Sequence, residues 1–278
     1  MRSALCSGSL LALLHVTPCL WIGAFNIEDF GPKKSKDDFV MNHIQRELHF
    51  LQIVLRYDII LIQGLQDKDL SVTKRLKDLV NKDSQHFSNI LSEPLPLSSS
   101  ILKFWTDKER YLFLYRDKKV TVKDSFQYTA KGFDRPPYVV KFSSTETGKE
   151  FVLIPIHTKP DHAVKEIDAL VDVVAAAGKK WNNNKNIMVL GDFNAGSRYV
   201  KVKKRNKKND WDDIPLFTNK DFHWLINDNV ATKVDSQQAH DRIVVTTEME
   251  KGVVEGSAKV FNFRKKYDLN QAERILFE

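Results

Sequence analysis

Asp192 and Asn194 stand directly after a run of apolar residues, 187–190, which reads as a buried strand. Residues i and i+2 of a strand face the same side, so these two side chains can converge on one ligand. A carboxylate offers hard oxygen to a divalent cation, and an amide can orient a water or a phosphate oxygen. The alternative is a turn that closes the strand, in which both polar side chains bond to their own backbone. These residues alone leave both interpretations open.

Further polar side chains occur where other apolar runs end or begin. Asn26 and His157 each follow such a run, Asp241 begins another, and Glu109 stands just before a fourth. Ligands of α/β proteins bind at the rims of sheets, where these positions would meet. A lone histidine is more often structural than catalytic, and a glutamate between two basic residues is more often solvated. Their joint occurrence with Asp192 favours a functional site.

The elements that must position these residues are predicted from the apolar pattern. Strands are predicted over 20–27, 58–64, 111–115, 138–142, 151–156, 187–190, 222–226, 241–246 and 259–263. Helices are predicted after Ser35, over 70–82 and after Asp161, which is expected to cap its helix. Strands with helices before and after them predict an α/β fold in which two packed sheets are covered by outer helices.

The chain has 278 residues, of which 42% are hydrophobic, and this is enough to form one sizeable domain. Arg2 and the short apolar stretch 10–14 are typical of a secretory signal, and the stretch is too short to span a bilayer. We therefore expect a signal peptide over 1–19, a secreted and monomeric domain over 20–278, and no membrane segment. Both cysteines fall within the signal, so the mature domain would contain no disulfide.

The formal net charge of +7 suits a polyanionic partner. The densest basic stretch, 201–208, is either a solvated loop or a surface that follows DNA phosphates and binds them in a salt-dependent way. A basic cluster of this kind could also act as a nuclear address, which makes the nucleus the alternative location.

Several stretches of the sequence resemble the deoxyribonuclease I family. They are 25–27, 58–63, 109–116, 154–158, 165–170, 191–196 and 241–244, and they occur in the family's order. The resemblance extends from about residue 20 to about residue 269. It implies a four-layered α/β/β/α sandwich of the endonuclease/exonuclease/phosphatase type, and a metal-dependent endonuclease that cleaves duplex DNA with Mg²⁺ and Ca²⁺.

The resemblance also implies roles for individual residues. By its pattern, His157 is an acid/base for phosphodiester hydrolysis and Glu109 holds its imidazole in the working tautomer. Asp241 would support a second histidine. The principal partner is DNA, which would be contacted mostly through its backbone phosphates.

The same pattern implies a binding set around the scissile phosphate. Asp192 would bind the metal ion, which stabilises the charge that builds on phosphorus. Asn26 and Asn194 would bind phosphate beside it, and Arg135 falls where the family places an arginine that contacts DNA.

The chain departs from the family at several positions. Gly64 stands where the family has a metal-binding glutamate, and glycine offers no ligand. The family's minor-groove arginine and tyrosine fall on Gln66 and Asp107, and the acidic Asp107 would repel a phosphate backbone. The cysteines of the family's disulfide fall on Ser197 and Gln238. We therefore expect a weaker cation site and weaker DNA contacts than the family pattern provides.

A further departure concerns the family's last segment, which carries an aspartate and a second catalytic histidine. The sequence ends at Glu278 without it, and this is either an authentic end or a splice form or gene prediction that lacks the last exon. His240, beside Asp241, is not expected to replace the second histidine. Losing one general acid/base commonly costs about 10²–10⁴-fold in rate, so we expect impaired activity.

These observations leave three functions to compare. The first is a secreted, metal-dependent endodeoxyribonuclease that takes part in DNA catabolism. The second is a catalytically dead DNA-binding relative, which Gly64 and the lack of the family's last segment favour. The third, by analogy of fold alone, is a phosphoesterase acting on small or lipid phosphates. The family-specific stretches 109–116 and 165–170 argue against the third.

Overall fold

The computed structural model describes residues 19–30, 50–82, 86–95, 108–196, 199–200, 210–233 and 237–267, without the side chains of 28–30 and 264. Several predictions lie outside these residues. They are the signal segment up to residue 18, the helix after Ser35, Asp107, Ser197, the basic stretch 201–208 and the last residues from 268 onward.

The first sheet contains four strands in the order β1-β2-β4-β3. They are β1 (Ile22–Phe30), β2 (Ile59–Leu65), β3 (Phe87–Leu91) and β4 (Arg110–Arg116). β1 lies parallel to β2, whereas β4 is antiparallel to both of its neighbours. Every residue of β2 is buried, as its near-continuous apolar run predicts.

The second sheet contains six strands in the order β5-β6-β7-β8-β10-β9. They are β5 (Val120–Gln127), β6 (Tyr138–Ser144), β7 (Glu150–His157), β8 (Ile187–Asp192), β9 (Phe222–Trp224) and β10 (Asp241–Thr246). β7 and β8 are parallel, while β8 and β10 are antiparallel. The carboxyl ends of β7 and β8 therefore meet the amino end of β10.

The helices are mostly short. They are α1 (Ser71–Val80), α2 (Ala163–Asp168), α3 (Leu170–Lys180), α4 (Pro215–Thr218), α5 (Thr247–Glu250) and α6 (Phe263–Tyr267), with 3-10 turns over Pro160–His162 and Asp210–Asp213. Residues 50–54 are also helical. No helix among the described residues is long and apolar enough to cross a membrane.

Three apolar cores separate four layers. Alternate residues of β2 and β4, such as Leu61 and Phe113, face Phe142 of β6 and Leu190 of β8 in the core between the sheets. The other faces of β2 and β4 pack against α1 and 50–54, and the outer faces of β7 and β8 pack against α2 and α3. This arrangement confirms the predicted α/β/β/α sandwich.

Some predicted elements differ from the structure. Residues 259–262 form no strand, and α6 begins at Phe263. Asp161 does not cap the helix that follows it; it lies inside a 3-10 turn, and the side chain of the N-cap residue His162 makes no capping hydrogen bond. β5 was not predicted because its sequence is largely polar, and only one of its residues is fully buried.

Candidate active site

A groove runs along the rim where the two sheets meet, and every site residue predicted from the sequence lines it. These residues are Asn26, Glu109, Arg135, His157, Asp192, Asn194 and Asp241, together with Gly64. The strand register explains why three of these residues lie close together. Asp192 is paired with His157 across β7 and β8 and with Asp241 across β8 and β10. Adjacent strands thus deliver three titratable side chains to one place.

His157 and Glu109, the predicted acid/base pair, lie together in one part of the groove, which we call its acid/base part. Nδ1 of His157 lies 2.8 Å from Oε1 of Glu109, and Nε of Arg135 lies 2.8 Å from the same oxygen. The Nδ1–H does not point along the line of the contact, so this is an ion pair and not an aligned hydrogen bond. Catalytic contacts of this kind commonly tighten only when substrate binds. Glu109 is 6% exposed, so its charge is poorly screened by water.

The surroundings of His157 set its protonation. Burial alone would lower the pKa of His157, but the charge and hydrogen-bonding capacity of Glu109, helped by Asp192, outweigh burial and raise that pKa above its usual value. Nε2 of His157 lies 3.9 Å from Oδ2 of Asp192, and both residues line the groove. The arrangement keeps Nδ1 against a carboxylate and leaves Nε2 to exchange a proton.

Tyr111, a fully buried residue of β4, ties the acid/base part together. Its hydroxyl accepts the backbone N–H of His157 at 2.9 Å and donates to the backbone carbonyl of Arg135 at 3.2 Å. Nη1 of Arg135 in turn donates to the His157 carbonyl at 3.3 Å. The end of β7 at His157 and the loop that carries Arg135 are therefore joined through the phenol of Tyr111.

Asp192 is held by its neighbours from two sides. Oδ1 accepts the backbone N–H of Asn194 at 2.8 Å, and Oδ2 accepts Nδ2 of Asn26 at 3.1 Å. The first bond is the Asx turn that was the alternative interpretation of this stretch. The turn and a ligand role are compatible, because each carboxylate oxygen can accept more than one bond.

Asn194 lines the groove, but it does not lie there through the strand alternation that the sequence predicted. β8 ends at Asp192, and Asn194 has a φ of 44°, so the alternation of a strand no longer applies to it. Its Nδ2 donates to the carbonyl of Thr158 at 3.0 Å. Asn194 therefore joins the ends of β7 and β8, and its amide oxygen remains as an acceptor.

Asp241 faces Asp192 at the start of β10. Burial, and then the charge of Asp192, raise the pKa of Asp241 above its usual value. Oγ1 of Thr232 accepts the backbone N–H groups of both His240 and Asp241 at 2.9 Å, which fixes the start of the strand. Two carboxyl groups close together in a buried place repel each other, and a cation between them would relieve that repulsion.

Gln63 and Gly191 hold the two sheets together beneath the groove. Nε2 of Gln63 donates to the Ile156 carbonyl at 2.6 Å, and Oε1 accepts the backbone N–H of Asp192 at 3.1 Å. Gly191 has a φ of 130°, and a Cβ there would lie 2.4 Å from the Ile156 carbonyl oxygen and 2.7 Å from Oε1 of Gln63. A glycine at this position is therefore required for the close approach of β2, β7 and β8.

The groove offers few ligands to a metal ion. Gly64 has a φ of 71° and supplies only backbone, so Asp192 and Asp241 are the carboxylates on this side. Mg²⁺ is commonly held by one or two carboxylates with water and substrate phosphate completing its shell. The pairing of Asp192 with Asp241 across β8 and β10 would suit such an ion, with water and a substrate phosphate completing its shell.

Sequence reasoning missed the residues that support the site. Gln63 and Tyr111 are both fully buried and polar, within strands that are otherwise apolar. A polar residue inside a buried run is the one available signal, because a buried polar group needs a partner. Of the positions where the chain departs from the family, Gln66 is partly buried in the segment after β2, and Gln238 lines the groove beside His240.

Comparison with known proteins agrees with this geometry. The sequence profile of the endonuclease/exonuclease/phosphatase family matches residues 23–258. Deoxyribonuclease-1 of Equus caballus is 41% identical over 97% of this chain and 94% of its own length. Deoxyribonuclease-1-like 2 of Mus musculus is 39% identical over 92% and 87%. A solved structure of an endonuclease/exonuclease/phosphatase family protein from Bacteroides thetaiotaomicron superposes with a TM-score of 0.54 at 16% identity, covering 82% of this chain and 83% of that one, which supports the fold alone. The chain therefore belongs to the endonuclease/exonuclease/phosphatase family and, within it, to the deoxyribonuclease I family.

Proposed function

We propose that this protein is a deoxyribonuclease I-like endonuclease that hydrolyses phosphodiester bonds of DNA. The observation that carries the proposal is the contact between His157 and the buried Glu109, in a groove that also holds Arg135 and Asp192. Relatives named deoxyribonuclease-1 cover nearly the whole chain and supply the substrate class.

His157 would be the proton-transfer group. Its raised pKa increases the imidazolium fraction near neutral pH, which suits donation of a proton from Nε2 to the leaving oxygen or to a phosphate oxygen. Glu109 keeps the charge on the ring and Arg135 prevents Glu109 from turning away. Asp241 would act from the facing strand as the second titratable group of the groove.

The phosphate would be held by neutral and cationic donors. Arg135 uses part of its guanidinium on Glu109 and on the His157 carbonyl, and the remaining N–H groups can reach a phosphate oxygen. Asn26 and Asn194 place amide groups on the other side of Asp192. Contacts of this type recognise the backbone of DNA and not its sequence.

Asp192, with Asp241 nearby, would hold a divalent cation, for which Mg²⁺ is the first choice and Ca²⁺ an additional one. Bound there, the ion would stabilise negative charge on the phosphate as the bond is cleaved. Gly64 has no side chain, so it does not supply the further metal-binding carboxylate that the family pattern implies at this position. We therefore infer that the protein needs more Mg²⁺, and turns over more slowly, than relatives with a glutamate at this position.

The cellular setting is also proposed. A signal peptide over 1–19 would direct the domain of 20–278 to the secretory pathway, where it would act as a monomer on extracellular DNA. The basic stretch 201–208 makes the nucleus the alternative.

A second candidate function, DNA binding without cleavage, is favoured by a separate observation. Gly64 favours a relative that binds DNA through Arg135 and the basic surface without cleaving it. In that case the groove would retain affinity for phosphate while the rate of hydrolysis stayed at background.

The test is nicking of supercoiled plasmid by the purified protein in Mg²⁺ and Ca²⁺. We expect His157→Ala to lower the rate by about 10²–10⁴-fold. The matched control is His223→Ala, because His223 also contacts a carboxylate, Glu250, but lies on β9 away from the groove. Equal rates for His157→Ala and the parent protein would contradict the proposal. DNA binding without any nicking by the parent protein would favour the second candidate.

A further inference from the structure

A second group of metal-ligating side chains lies outside the groove. Asp134, His162 and Glu166 each offer one ligand atom, and these atoms all lie within 4.8 Å of one another. Asp134 belongs to the segment between β5 and β6, His162 ends the 3-10 turn after β7, and Glu166 lies in α2. None of the three takes part in the acid/base or phosphate contacts of the groove, and no other group of this kind occurs among the described residues.

Glu166 is buried with an unused oxygen. The residue is 1% exposed, and its Oε1 accepts the backbone N–H of Lys159 at 3.0 Å. Its Oε2 accepts no hydrogen bond from any residue that the structure describes. Removing a carboxylate oxygen from water without a partner is costly, so such an oxygen marks a place where a ligand is expected.

The other two side chains lie beside this oxygen. Nδ1 of His162 is in contact with Oδ2 of Asp134, and Asp134 acts on Glu166 both through its charge and through a hydrogen bond that forms when one of the two carboxyl groups is protonated. Burial, and then Asp134, raise the pKa of Glu166 to about 7. The imidazole of His162 is 50% exposed, so the cluster is open to ions from solution on that side.

We propose that Asp134, His162 and Glu166 bind a divalent transition-metal ion, of which Zn²⁺ is the representative. One imidazole nitrogen and two carboxylates form a donor set that zinc accepts, with water in the remaining position. Ca²⁺ and Mg²⁺ prefer oxygen ligands throughout and would be disfavoured by the imidazole. The site is distinct from the cation site proposed at Asp192.

An ion at this place would join the two loops that carry the acid/base part of the groove. Asp134 directly precedes Arg135, which pairs with Glu109. His162 and Glu166 follow His157 on the segment that begins with Thr158 and Lys159.

Without an ion, a proton shared between the carboxyl groups of Asp134 and Glu166 would relieve their mutual repulsion. A metal ion and this proton cannot occupy the same carboxylate oxygen, so a measurement of metal binding distinguishes the two explanations.

The experiment is titration of the purified protein with Zn²⁺ in the presence of millimolar Mg²⁺ and Ca²⁺, followed by equilibrium dialysis and by the melting temperature. Three variants are compared with the parent: His162→Ala, Glu166→Gln and the control His223→Ala. Gln at position 166 keeps an acceptor for the Lys159 N–H, so it tests the charge while preserving the local fold. Ligand binding to the folded state raises the melting temperature, which gives a readout independent of nuclease activity.

We expect the parent and His223→Ala to bind one more Zn²⁺ per chain than His162→Ala at micromolar Zn²⁺. Glu166→Gln should weaken that binding by about 10-fold or more. The rise in melting temperature with Zn²⁺ should be lost in His162→Ala and kept in His223→Ala. The same stoichiometry in the parent and in His162→Ala would overturn the proposal and leave the shared proton as the explanation. An equal loss in His223→Ala would overturn it as well, since binding would then belong to surface histidines in general.

Discussion

The two sides of the groove differ in how many contacts fix their functional side chains. On one side, Arg135 and His157 each contact Oε1 of Glu109 at 2.8 Å, and buried Tyr111 hydrogen-bonds to the backbone of both Arg135 and His157. On the other side, Asp192 and Asp241 face each other, and Gly64 adds no side chain. The acid/base side is therefore fixed by several contacts, whereas the proposed cation side has two carboxylates and a glycine without a side chain.

This difference separates two requirements of phosphodiester hydrolysis. Tuning a histidine needs one buried carboxylate and a rigid backbone, and both are present among the described residues. Holding a divalent cation needs several oxygen ligands, and Gly64, which stands where the family pattern implies a glutamate, offers no side-chain oxygen. If the proposed roles hold, we expect this protein to keep its proton-transfer group but to need more metal ion for activity.

Both sides share the support beneath them, and breaking it should affect them together. Gly191→Ala places a Cβ 2.4 Å from the Ile156 carbonyl oxygen at a φ of 130°. We expect this variant to lose about 3 kcal/mol of unfolding free energy through backbone strain and overpacking. Urea denaturation would measure the loss.

The control for Gly191→Ala is Gly148→Ala. Gly148 also has a positive φ, 68°, but an added Cβ would meet nothing within 4 Å. Its loss should be about 1 kcal/mol, from backbone conformation alone. Equal losses for the two variants would show that the sheets do not need to approach closely at Gly191.

Gln63→Leu should have the next largest effect. It leaves the Ile156 carbonyl and the Asp192 N–H without their side-chain partner in a buried place, which costs about 1–3 kcal/mol. Chemical denaturation of Gln63→Leu and of Gln52→Leu, an exposed glutamine of 50–54, would measure the difference. If Gln63→Leu lost no more unfolding free energy than Gln52→Leu, the structural role assigned to Gln63 would be wrong.

Glu109→Gln should act on the acid/base side alone. Because Glu109 raises the pKa of His157, removing its charge should lower that pKa, so His157 would lose its proton at a lower pH. We expect the pH–rate profile to move toward acid and the rate at neutral pH to fall about 10-fold. Histidine Cε1–H titration by NMR would follow the ring directly. A His157 pKa that stayed the same or rose would refute the role assigned to Glu109.

The sequence predicted the buried part of the fold because burial on both faces leaves a plain apolar run. β2, β7 and β8 were all found in this way. β5 escaped because it is a half-exposed edge strand with polar residues, and 259–262 was taken for a strand although the structure has no strand there. The local pattern of apolar residues therefore identifies strands that are buried on both faces, but it identifies half-exposed edge strands poorly.

The site was predicted where polar residues end apolar runs, as at His157 and Asp192, and the resemblance to the family assigned their roles. Tyr111 and Gln63 were missed because their partners lie on other strands, and nothing local encodes such contacts. The Asp134–Glu166 cluster was missed for the same reason, since its members are brought together by packing of a loop against α2.

The measurement that tests the difference between the two sides most directly is the Mg²⁺ dependence of plasmid nicking by Gly64→Glu and Gly64→Gln. Both variants bear the same strain at a φ of 71°, and only the first adds a carboxylate. We predict that the Mg²⁺ concentration for half-maximal rate falls about 10-fold in Gly64→Glu relative to Gly64→Gln, with the pH profile unchanged. The same Mg²⁺ requirement in both variants would contradict the claim that the cation side is the incomplete one.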